Sequence, residues 1–403
     1  MSLWLLILLI IIIIFLIFLV GIQLFDYYYN SNFTNLQITD WSKDYLSFDQ
    51  NNFKNLSKKK RWEVRFKVFE HYDRIKDQYK SLNTIKKFYY PINQNSKIFV
   101  SIASYRDPEC HKTINSLITN CHNKENLRIL VCEQNEDSDI SCLVDNEKYS
   151  HLIEIIKLPA LLAKGPTFAR FLIQQNYNNE EFYLQIDSHT QFEKNWDKKL
   201  IDSLNKLPEK SCITQYLPEY NIKSKNIKNY SVRSGLSVNL INELDDFYRV
   251  QSFFVTDIDK SVDVNEANAW SGCFSFSRGN ICIDAPIDPL TPELFFGEEM
   301  DIALRLFTRG WSFYSPNYPV AYTSFDRTYR NTFWFKKSYD KVLTLLSRFR
   351  VHYRIGTLPK YYKKIIKEKY PMLINQIDDY LLGDIKSLQD YEDLIGFDII
   401  PNY

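Results

Sequence analysis

Two things that this 403-residue sequence lacks narrow its function at the outset. It has no excess of positive charge, since 50 Lys and Arg residues face 49 Asp and Glu residues. That balance argues against the broad basic surface that nucleic-acid binding needs. Its seven cysteines include no C-x-x-C pair, so neither a zinc ribbon nor a thioredoxin-type site is indicated, and no disulfide is predicted. Glycine is scarce, at 10 residues, and no functional conclusion follows from that.

The chain opens with an apolar run, from Leu3 to Ile22, which is close to the ~20 residues that a membrane-spanning helix needs. No Lys or Arg precedes the run and no A-x-A-like site follows it, so a retained anchor is favoured over a cleaved signal peptide. The nearest basic residue is Lys43, which leaves the orientation open. We expect a single-pass protein of a Golgi- or ER-type membrane or a host endomembrane. Glycosylation triplets at Asn32, Asn55 and Asn229 permit a lumenal catalytic domain.

Composition and periodicity divide the chain into five segments. These are an anchor (1–25), a stem rich in Asn, Ser, Asp and Lys (26–60), an amphipathic helix (61–90), a catalytic domain (91–335) and a helical C-terminal region (336–403). In the amphipathic helix, apolar residues recur at steps of three or four from Trp62 onward. Because the repeat is not a strict heptad, we favour packing on the catalytic body over a dimerising coiled coil. Basic residues of the C-terminal region, such as Arg350 and Arg354, are interpreted as solvated helix faces.

The catalytic segment alternates strand-like and helix-like patterns. Strands are predicted at 97–103, 128–133, 152–157 and 181–186, and helices at 109–121 and 167–175, with Pro166 suited to the first turn of the second helix. Such alternation is typical of an α/β domain with a mostly parallel sheet, in which ligands gather at the carboxyl ends of the strands. Asp187 follows directly after one of these strands.

Asp187 and His189 are candidate metal ligands. They lie two residues apart after an apolar strand, so both side chains can point into the same cleft. A carboxylate together with an imidazole suits Mn²⁺ better than Mg²⁺. Taken alone, the triplet is more consistent with a capping Asp and a surface His than with a metal site.

A second candidate group lies in the segment from Phe295 to Gly310. If it forms a helix that ends at Gly310, then Glu298, Asp301 and Arg305 share one face at spacings of three and four. An ion-paired helix surface would give the same pattern. Upstream, small residues flanked by aromatics, beginning at Trp270, can form the floor of a sugar-sized pocket.

The segment from Gly165 to Arg170 has the pattern of a loop that opens a helix. Free N–H groups and the positive dipole end at such a position favour phosphate. Arg170 would lie about one turn inside the helix. A plain helix start with an ion-paired Arg explains the same residues.

In this order along the chain, the motifs resemble those of one known family. The motifs are Ser101–Pro108, Gly165–Arg170, Gln185–Phe192, Trp270–Phe274, Phe296–Glu299 and Arg327–Trp334. Together they resemble the hydroxyproline-directed polypeptide N-acetylglucosaminyltransferases, which are related to the polypeptide GalNAc-transferases. The resemblance covers residues 96 to 335, and the ordered set is far more specific than any single motif.

The resemblance implies a GT-A fold and a retaining, metal-dependent transfer of GlcNAc from UDP-GlcNAc to a hydroxyl of a protein or glycan. By position it implies Asp187 and His189 as ligands of Mn²⁺ or another divalent cation. Along the nucleotide side it places Ser101, Arg106, Arg170 and Ser188. On the sugar and acceptor side it places Trp270, Glu298 and Glu299, with Asp301 as a further catalytic candidate from its helical spacing.

The sequence departs from the family at one position. A further histidine is usual just before the Arg-x-x-Arg segment, whereas Thr323 stands at that position here. Asp326 is the candidate replacement ligand, with water or a weaker metal site as the alternatives. The family's soluble members also lack the anchor, so their protein acceptor does not transfer to this chain.

Two other functions are consistent with these residues. A membrane-tethered carbohydrate-binding protein would have kept the pocket and lost its metal site, as Thr323 suggests. A metal-dependent hydrolase of sugar phosphates would use water as its acceptor, but the motifs favour a nucleotide cleft over a two-metal carboxylate cluster.

Overall fold

A computed structural model describes residues 57–73, 76, 96–222, 232–237, 249–254, 261–333, 341–396 and 398–399. The predicted anchor and nearly all of the predicted stem lie outside these residues. Within the described ranges, no helix is both long and apolar enough to cross a membrane.

An eight-stranded sheet forms the centre of the described chain, in the order β3-β2-β1-β4-β10-β6-β11-β9. Its strands are β1 (Ile98–Tyr105), β2 (Leu127–Asn135), β3 (Ile153–Pro159), β4 (Phe182–Asp187), β6 (Ser211–Thr214), β9 (Val264–Ala267), β10 (Phe274–Arg278) and β11 (Ser312–Pro316). The first four pair in parallel, whereas β10 is antiparallel to both of its neighbours. The predicted α/β class with a mostly parallel sheet is confirmed.

Two small sheets accompany the central one. One pairs β5 (Thr190–Phe192) with β12 (Ala321–Thr323). The other pairs β7 (Val232–Ser237) with β8 (Arg249–Phe254). The first of them has a direct bearing on the site, because it brings the chain after Thr323 to the residues that follow Asp187.

Helices lie between the strands along the chain, and further helices precede the first strand and follow the last one. They are α1 (Lys58–Phe66), α2 (Cys110–Thr119), α3 (Pro166–Gln174), α4 (Trp196–Leu204), α5 (Ile281–Asp284), α6 (Glu298–Thr308), α7 (Lys341–Ile355), α8 (Lys360–Lys369) and α9 (Leu388–Ile395). Pro166 occupies the first turn of α3, as predicted, after Gly165 with a φ of 90°. A side chain at Gly165 would be strained in that conformation.

The main core lies between the sheet and the helices α2 and α4. Alternating residues of β1 and β4, such as Val100 and Leu184, pack with Leu117 of α2 and with Trp196 and Leu200 of α4. Each of these five residues is almost fully buried. Burial on both faces explains why the strands read as continuous apolar runs in the sequence.

The N-terminal helix packs on the C-terminal helical region through aromatic rings. After α1, a short 3-10 helix continues from Lys67 to His71. Phe66 lies 4.6 Å from Tyr362 of α8, and Phe69 lies 4.3 Å from Tyr370, measured between ring centroids. These partners belong to the C-terminal helical region, so packing on the catalytic segment stays a prediction, and the remainder of the predicted helix lies mostly outside the described residues.

The interpretation of the C-terminal basic residues as solvated is wrong for Arg350 and Arg354. Both guanidinium groups are buried, and both bind Asp288. Arg354 also binds both carboxylate oxygens of Asp301. The Nη1 atom of Arg350 donates in addition to the carbonyl oxygen of Leu373, at 2.7 Å. A charge can be buried when it is paired and hydrogen-bonded in this way.

A disulfide that the sequence did not predict joins Cys110 to Cys142 across 32 residues. It connects the start of α2 to the loop after β2. The remaining five cysteines are free, and four of them are buried.

Candidate active site

The candidate site lies where the carboxyl ends of β1 and β4 meet the N-terminal turns of α3 and α6. Ala103 of β1 is aligned with Asp187, the last residue of β4. The backbone N–H of Asp187 donates to the carbonyl oxygen of Cys273, which brings the loop before β10 to the same edge. Residues of all six motifs from the sequence converge here.

Arg170 joins Asp187 to Glu298 at the centre of the site. Its Nη1 atom donates to both carboxylate oxygens of Glu298 at 2.8 Å, and its Nη2 atom donates to Oδ1 of Asp187 at 3.1 Å. Burial alone would lower the pKa of Arg170, but Glu298 and Asp187 raise the pKa above its ordinary value. Arg170 is therefore a permanent cation that orients two acids.

Gly272 is held by hydrogen bonds to both its carbonyl oxygen and its N–H group. Its carbonyl oxygen accepts from Nη2 of Arg170 and from Nε2 of Gln185, each at 2.9 Å. Its N–H donates to Oε1 of Glu299, also at 2.9 Å. A Cβ atom at this position would lie 3.1 Å from Nη1 of Arg170, so glycine allows the guanidinium to approach the backbone closely.

The two glutamates at the start of α6 differ in their partners. Burial raises the pKa of Glu298, although Arg170 opposes the shift. Burial raises the pKa of Glu299 from 4.5 to about 7, and the bond from the Gly272 N–H offsets only part of that. Glu299 can therefore exist in either protonation state near neutral pH.

His189 presents one bonded and one open ring nitrogen. Nδ1 lies 2.8 Å from Oδ2 of Asp107. Nε2 is buried without a hydrogen-bond partner among the described residues, and the nearest acid oxygen, Oδ2 of Asp187, is 3.6 Å away. Burial alone would raise the pKa of Asp187. The neighbouring His189 and Arg170 lower it, and the pKa comes to about 2.

Asp107 is the hub behind His189. Its side chain is fully buried and accepts from the hydroxyl groups of Ser188 and Tyr329, and Arg330 lies 3.4 Å away. Burial would raise the pKa of Asp107, but Arg330 and the hydrogen bond from His189 hold it well below its ordinary value.

The side chains of Asp187 and His189 fit a divalent ion as a two-residue donor set. A histidine that binds a metal through one ring nitrogen usually donates its other ring N–H to a carboxylate or carbonyl oxygen. His189 has this arrangement, since Nδ1 contacts Asp107 and Nε2 is open beside Asp187. In the part of the chain that the structure describes, no group of three or more His, Cys, Asp or Glu side chains could hold a metal. The remaining coordination positions of such an ion are open to substrate oxygens, water or a further side chain.

The candidate third ligand, Asp326, lies in the segment after β12. Its Oδ1 atom accepts from the backbone N–H of Thr328 at 2.8 Å. Thr323 is buried, and its hydroxyl group is 3.4 Å from the carbonyl oxygen of His189. The position of the expected histidine is thus beside the candidate metal site, and the role of Asp326 stays a prediction.

Two other predicted residues occupy different positions. Ser101 is buried in the middle of β1, aligned with Leu130 and Gln185. Arg106 lies at the end of β1, where its guanidinium binds the carboxylates of Asp139 and Glu136. These contacts leave the proposed nucleotide roles of both residues as predictions.

The structure separates Asp301 from the other acids of α6. Both of its oxygens accept from Arg354, at 2.5 Å, on the side of α6 that faces the C-terminal helices. Arg305 also approaches it, at 3.6 Å. The shared face inferred from spacing does not produce one site, because Glu298 turns to Arg170.

Trp270 lies beside Gly272, and its place on the sugar and acceptor side stays a prediction. A Cβ atom at Gly272 would lie 3.6 Å from Cζ3 of its ring. Its indole Nε1 atom is buried without a hydrogen-bond partner among the described residues. It is therefore a donor available for a substrate oxygen.

Sequence reasoning did not select Asp107, Gln185 or Gly272 as site residues, although each lies within a quoted motif. Asp107 and Gln185 are polar residues in or directly after buried strands, which is a signal that could have identified them. Gly272 carries no such signal, since its importance comes from the approach of Arg170.

A family model decides the assignment of the chain. The model for "Glycosyltransferase (GlcNAc)" matches residues 97–157 and 144–400. The chain belongs to the GlcNAc glycosyltransferase family. The match includes the C-terminal helices, which lie beyond the part of the chain covered by the sequence resemblance. Among curated proteins, none matches the chain.

Solved structures support the same fold. The crystal structure of GalNAc-T7 with UDP, GalNAc and Mn²⁺ is similar with a TM-score of 0.53 and 14% identity, over 77% of this chain and 59% of that one. This chain therefore spans less than two thirds of the length of GalNAc-T7. TarS of S. aureus in complex with UDP-GlcNAc is also similar, with a TM-score of 0.42 and 13% identity, over 70% of this chain and 80% of that one. The likeness to GalNAc-T7 identifies an α/β fold of the GT-A glycosyltransferase type, and hydroxyproline specificity does not follow from it.

Proposed function

We propose that this glycosyltransferase moves a sugar, with GlcNAc as the favoured one, from a UDP-sugar to a hydroxyl group of a protein or glycan, with retention of configuration. We further propose that Asp187 and His189 hold Mn²⁺ or another divalent ion that binds the diphosphate. The UDP and GalNAc in the GalNAc-T7 structure support the donor class, and the family description supports GlcNAc.

The observation that carries the proposal is the open Nε2 atom of His189. A buried ring nitrogen without a partner is unfavourable unless a ligand completes its coordination. Oδ2 of Asp187, 3.6 Å away, adds a carboxylate oxygen. An imidazole with a carboxylate suits Mn²⁺, which also accepts phosphate oxygens.

When bound, the ion would supply positive charge beside the departing diphosphate. Arg170 orients Asp187 toward that charge and pairs with Glu298 nearby. Because its Nη atoms already bind protein oxygens, Arg170 acts on the diphosphate through Asp187 and not by direct contact. This changes the direct role that the sequence had suggested for it.

The sugar would lie against the loop before β10, which contains Gly272, and against the start of α6. Glu298 and Glu299 accept from sugar or acceptor hydroxyl groups and hold them in place, and the Trp270 indole can donate to a sugar oxygen. In a retaining reaction on one face, an oxygen of the leaving phosphate takes the proton of the acceptor hydroxyl. No dedicated protein base is then required, which agrees with the engagement of Glu298 by Arg170.

The test compares Asp187→Ala with the matched variant Asp202→Ala, an exposed acid of α4 paired with Lys198. Removing Asp187 should lower Mn²⁺-stimulated release of UDP from UDP-GlcNAc by about 10³-fold, whereas the Asp202 variant should match the parent chain. Full activity of Asp187→Ala would refute the metal assignment. Running the assay with UDP-GalNAc and UDP-galactose in parallel identifies the sugar.

One observation favours a second function, a carbohydrate-binding protein with a degenerate site. Thr323 stands where the family has a histidine, and the described residues offer only two protein ligands for a metal. If this function is correct, the chain binds sugar but releases no UDP at any Mn²⁺ concentration. The same assay therefore separates the two functions.

A further inference from the structure

We propose that Asp107 is the positioning residue that fixes the tautomer of His189, so that Nε2 presents a lone pair to the site. The inference rests on the proposed function only in assigning that lone pair to a metal. It adds a residue that acts through His189 and touches neither the donor nor the ion.

The two oxygens of Asp107 have different sets of donors. Oδ1 accepts from the backbone N–H of Glu109 at 3.0 Å and from the hydroxyl group of Tyr329 at 3.1 Å. Oδ2 accepts from the hydroxyl group of Ser188 at 2.7 Å and faces Nδ1 of His189 at 2.8 Å. The Nε atom of Arg330 lies 3.4 Å from the same Oδ2.

This arrangement determines which ring nitrogen carries the proton. A carboxylate accepts hydrogen bonds and donates none. The contact at 2.8 Å is therefore a hydrogen bond only if Nδ1 of His189 is protonated. In the neutral ring, Nε2 is then bare, which agrees with its lack of a hydrogen-bond partner among the described residues.

The donors on Oδ1 make asparagine a sharp probe at this position. The N–H of Glu109 can only donate and makes a hydrogen bond to Oδ1, whereas the Nε atom of Arg330 at 3.4 Å makes none to Oδ2, so we expect the amide oxygen of an asparagine to take the place of Oδ1. Its NH₂ group then replaces Oδ2 and faces Nδ1 of His189. That contact is favourable only if Nδ1 is bare, which transfers the proton to Nε2. A substitution of nearly equal shape thus reverses the tautomer and blocks the proposed metal ligand.

The experiment records long-range ¹H–¹⁵N spectra of the full-length chain with ¹⁵N-labelled histidine, in the presence of a chelator. The His189 signals are identified by their loss in His189→Gln. In the parent chain we expect a protonated Nδ1 and a bare Nε2, and a bare Nδ1 would overturn the proposal. This measurement requires no variant of Asp107 and remains decisive if such a variant does not fold.

Asp107→Asn is expected to show the reversed tautomer and to bind Mn²⁺ in the presence of UDP about 10- to 100-fold more weakly, as measured by calorimetry. Tyr329→Phe is the matched control, because it removes a donor from Oδ1 and leaves Oδ2 unchanged. It should keep the tautomer of the parent chain. Retention of that tautomer in Asp107→Asn would overturn the inference.

The outcomes separate this inference from the proposed function. The tautomer is measured without metal or donor, so it stands even if Asp187→Ala remains fully active. Conversely, a chain with Mn²⁺-dependent UDP release and a bare Nδ1 would keep the function and lose the inference.

Discussion

Two buried clusters of charged residues each include an acid of helix α6, and they have different roles. The site cluster consists of Arg170, Asp187 and Glu298, and the tail cluster consists of Asp288, Asp301, Arg350 and Arg354. Glu298 and Asp301 are only three residues apart, yet each belongs to a different cluster. The Asp187 side chain is 26% exposed, whereas those of Asp288 and Asp301 are 1% and 4% exposed. The tail cluster is closed to solvent, while the site cluster keeps an acid accessible beside an open imidazole.

The comparison teaches that buried charge alone does not identify a site. The tail cluster positions α6 by binding it to α7 and to the loop before it, and its acids face guanidinium groups on several sides. Burial would raise the pKa of Asp288, but Arg350 and Arg354 bring it below its ordinary value. In contrast, the pKa of Glu299 is raised to about 7. The acids at the start of α6, whose pKa values burial raises, mark the side of the helix that faces the candidate site.

The largest expected effect on stability is in the tail cluster. Arg354→Ala would leave Asp301 without its principal cation, and breaking a buried pair in this way lowers the free energy of unfolding by about 3 to 5 kcal/mol. Chemical denaturation measures the loss. Lys364→Ala, which removes an exposed contact 3.9 Å from Glu368, should change the stability by less than about 0.5 kcal/mol. Equal effects of the two variants would contradict the closed character of the tail cluster.

A second prediction uses the raised pKa of Glu299. Because this pKa is 4.5 when unperturbed and about 7 in the folded chain, the folded state holds the proton more tightly than the unfolded state. This acid therefore makes the parent chain less stable as the pH rises from about 4.5 to about 7. Glu299→Gln removes that dependence while its amide oxygen can still accept from Gly272.

The free energy of unfolding of Glu299→Gln, relative to the parent chain, should increase by about 2 kcal/mol between about pH 5 and about pH 8. Denaturation in the presence of a chelator at both pH values measures the increase. A difference that is independent of pH would show that Glu299 titrates normally.

The third prediction concerns the stability of the site cluster. Asp187→Ala leaves Arg170 paired with Glu298, so the free energy of unfolding should fall by less than about 1 kcal/mol in metal-free buffer. Saturating Mn²⁺ with UDP should stabilise the parent chain by about 3 kcal/mol at 100 times the dissociation constant. The variant should gain little from the same addition. A large loss without metal would place Asp187 with the structural acids of the tail cluster.

The smallest expected effect concerns Asp326. Because one of its oxygens caps Thr328 and the described residues show no three-ligand group, Asp326→Ala should weaken Mn²⁺ binding by less than about threefold. Calorimetry in the presence of UDP measures this. A tenfold loss would establish Asp326 as the third ligand.

Local patterns predicted much of this fold from the sequence. The strands that lead to Asp187, the helix opened by Pro166 and the helix that precedes Gly310 all follow from periodicity and end signals. Asp187 and His189 were also selected correctly as neighbours in space. These features depend on residues close together in the chain.

The features that sequence reasoning missed depend on distant residues. The hub at Asp107 collects partners from positions 188, 189, 329 and 330, and no local pattern indicates such an encounter. Helical spacing placed Asp301 with Glu298, but spacing cannot show which arginine each acid binds. Arg354 was interpreted as solvated because its partners, Asp288 and Asp301, are more than fifty residues earlier in the chain.

The disulfide between Cys110 and Cys142 has a practical consequence for how the protein is produced. Such bonds form in oxidising compartments and are rare in reducing ones. Chain made in a reducing cytosol would lack the covalent connection between the start of α2 and the loop after β2, whose Glu136 and Asp139 bind Arg106. Losing the constraint on a loop of this length would lower stability by roughly 3 to 4 kcal/mol. The choice of expression host therefore determines which form of the enzyme is measured.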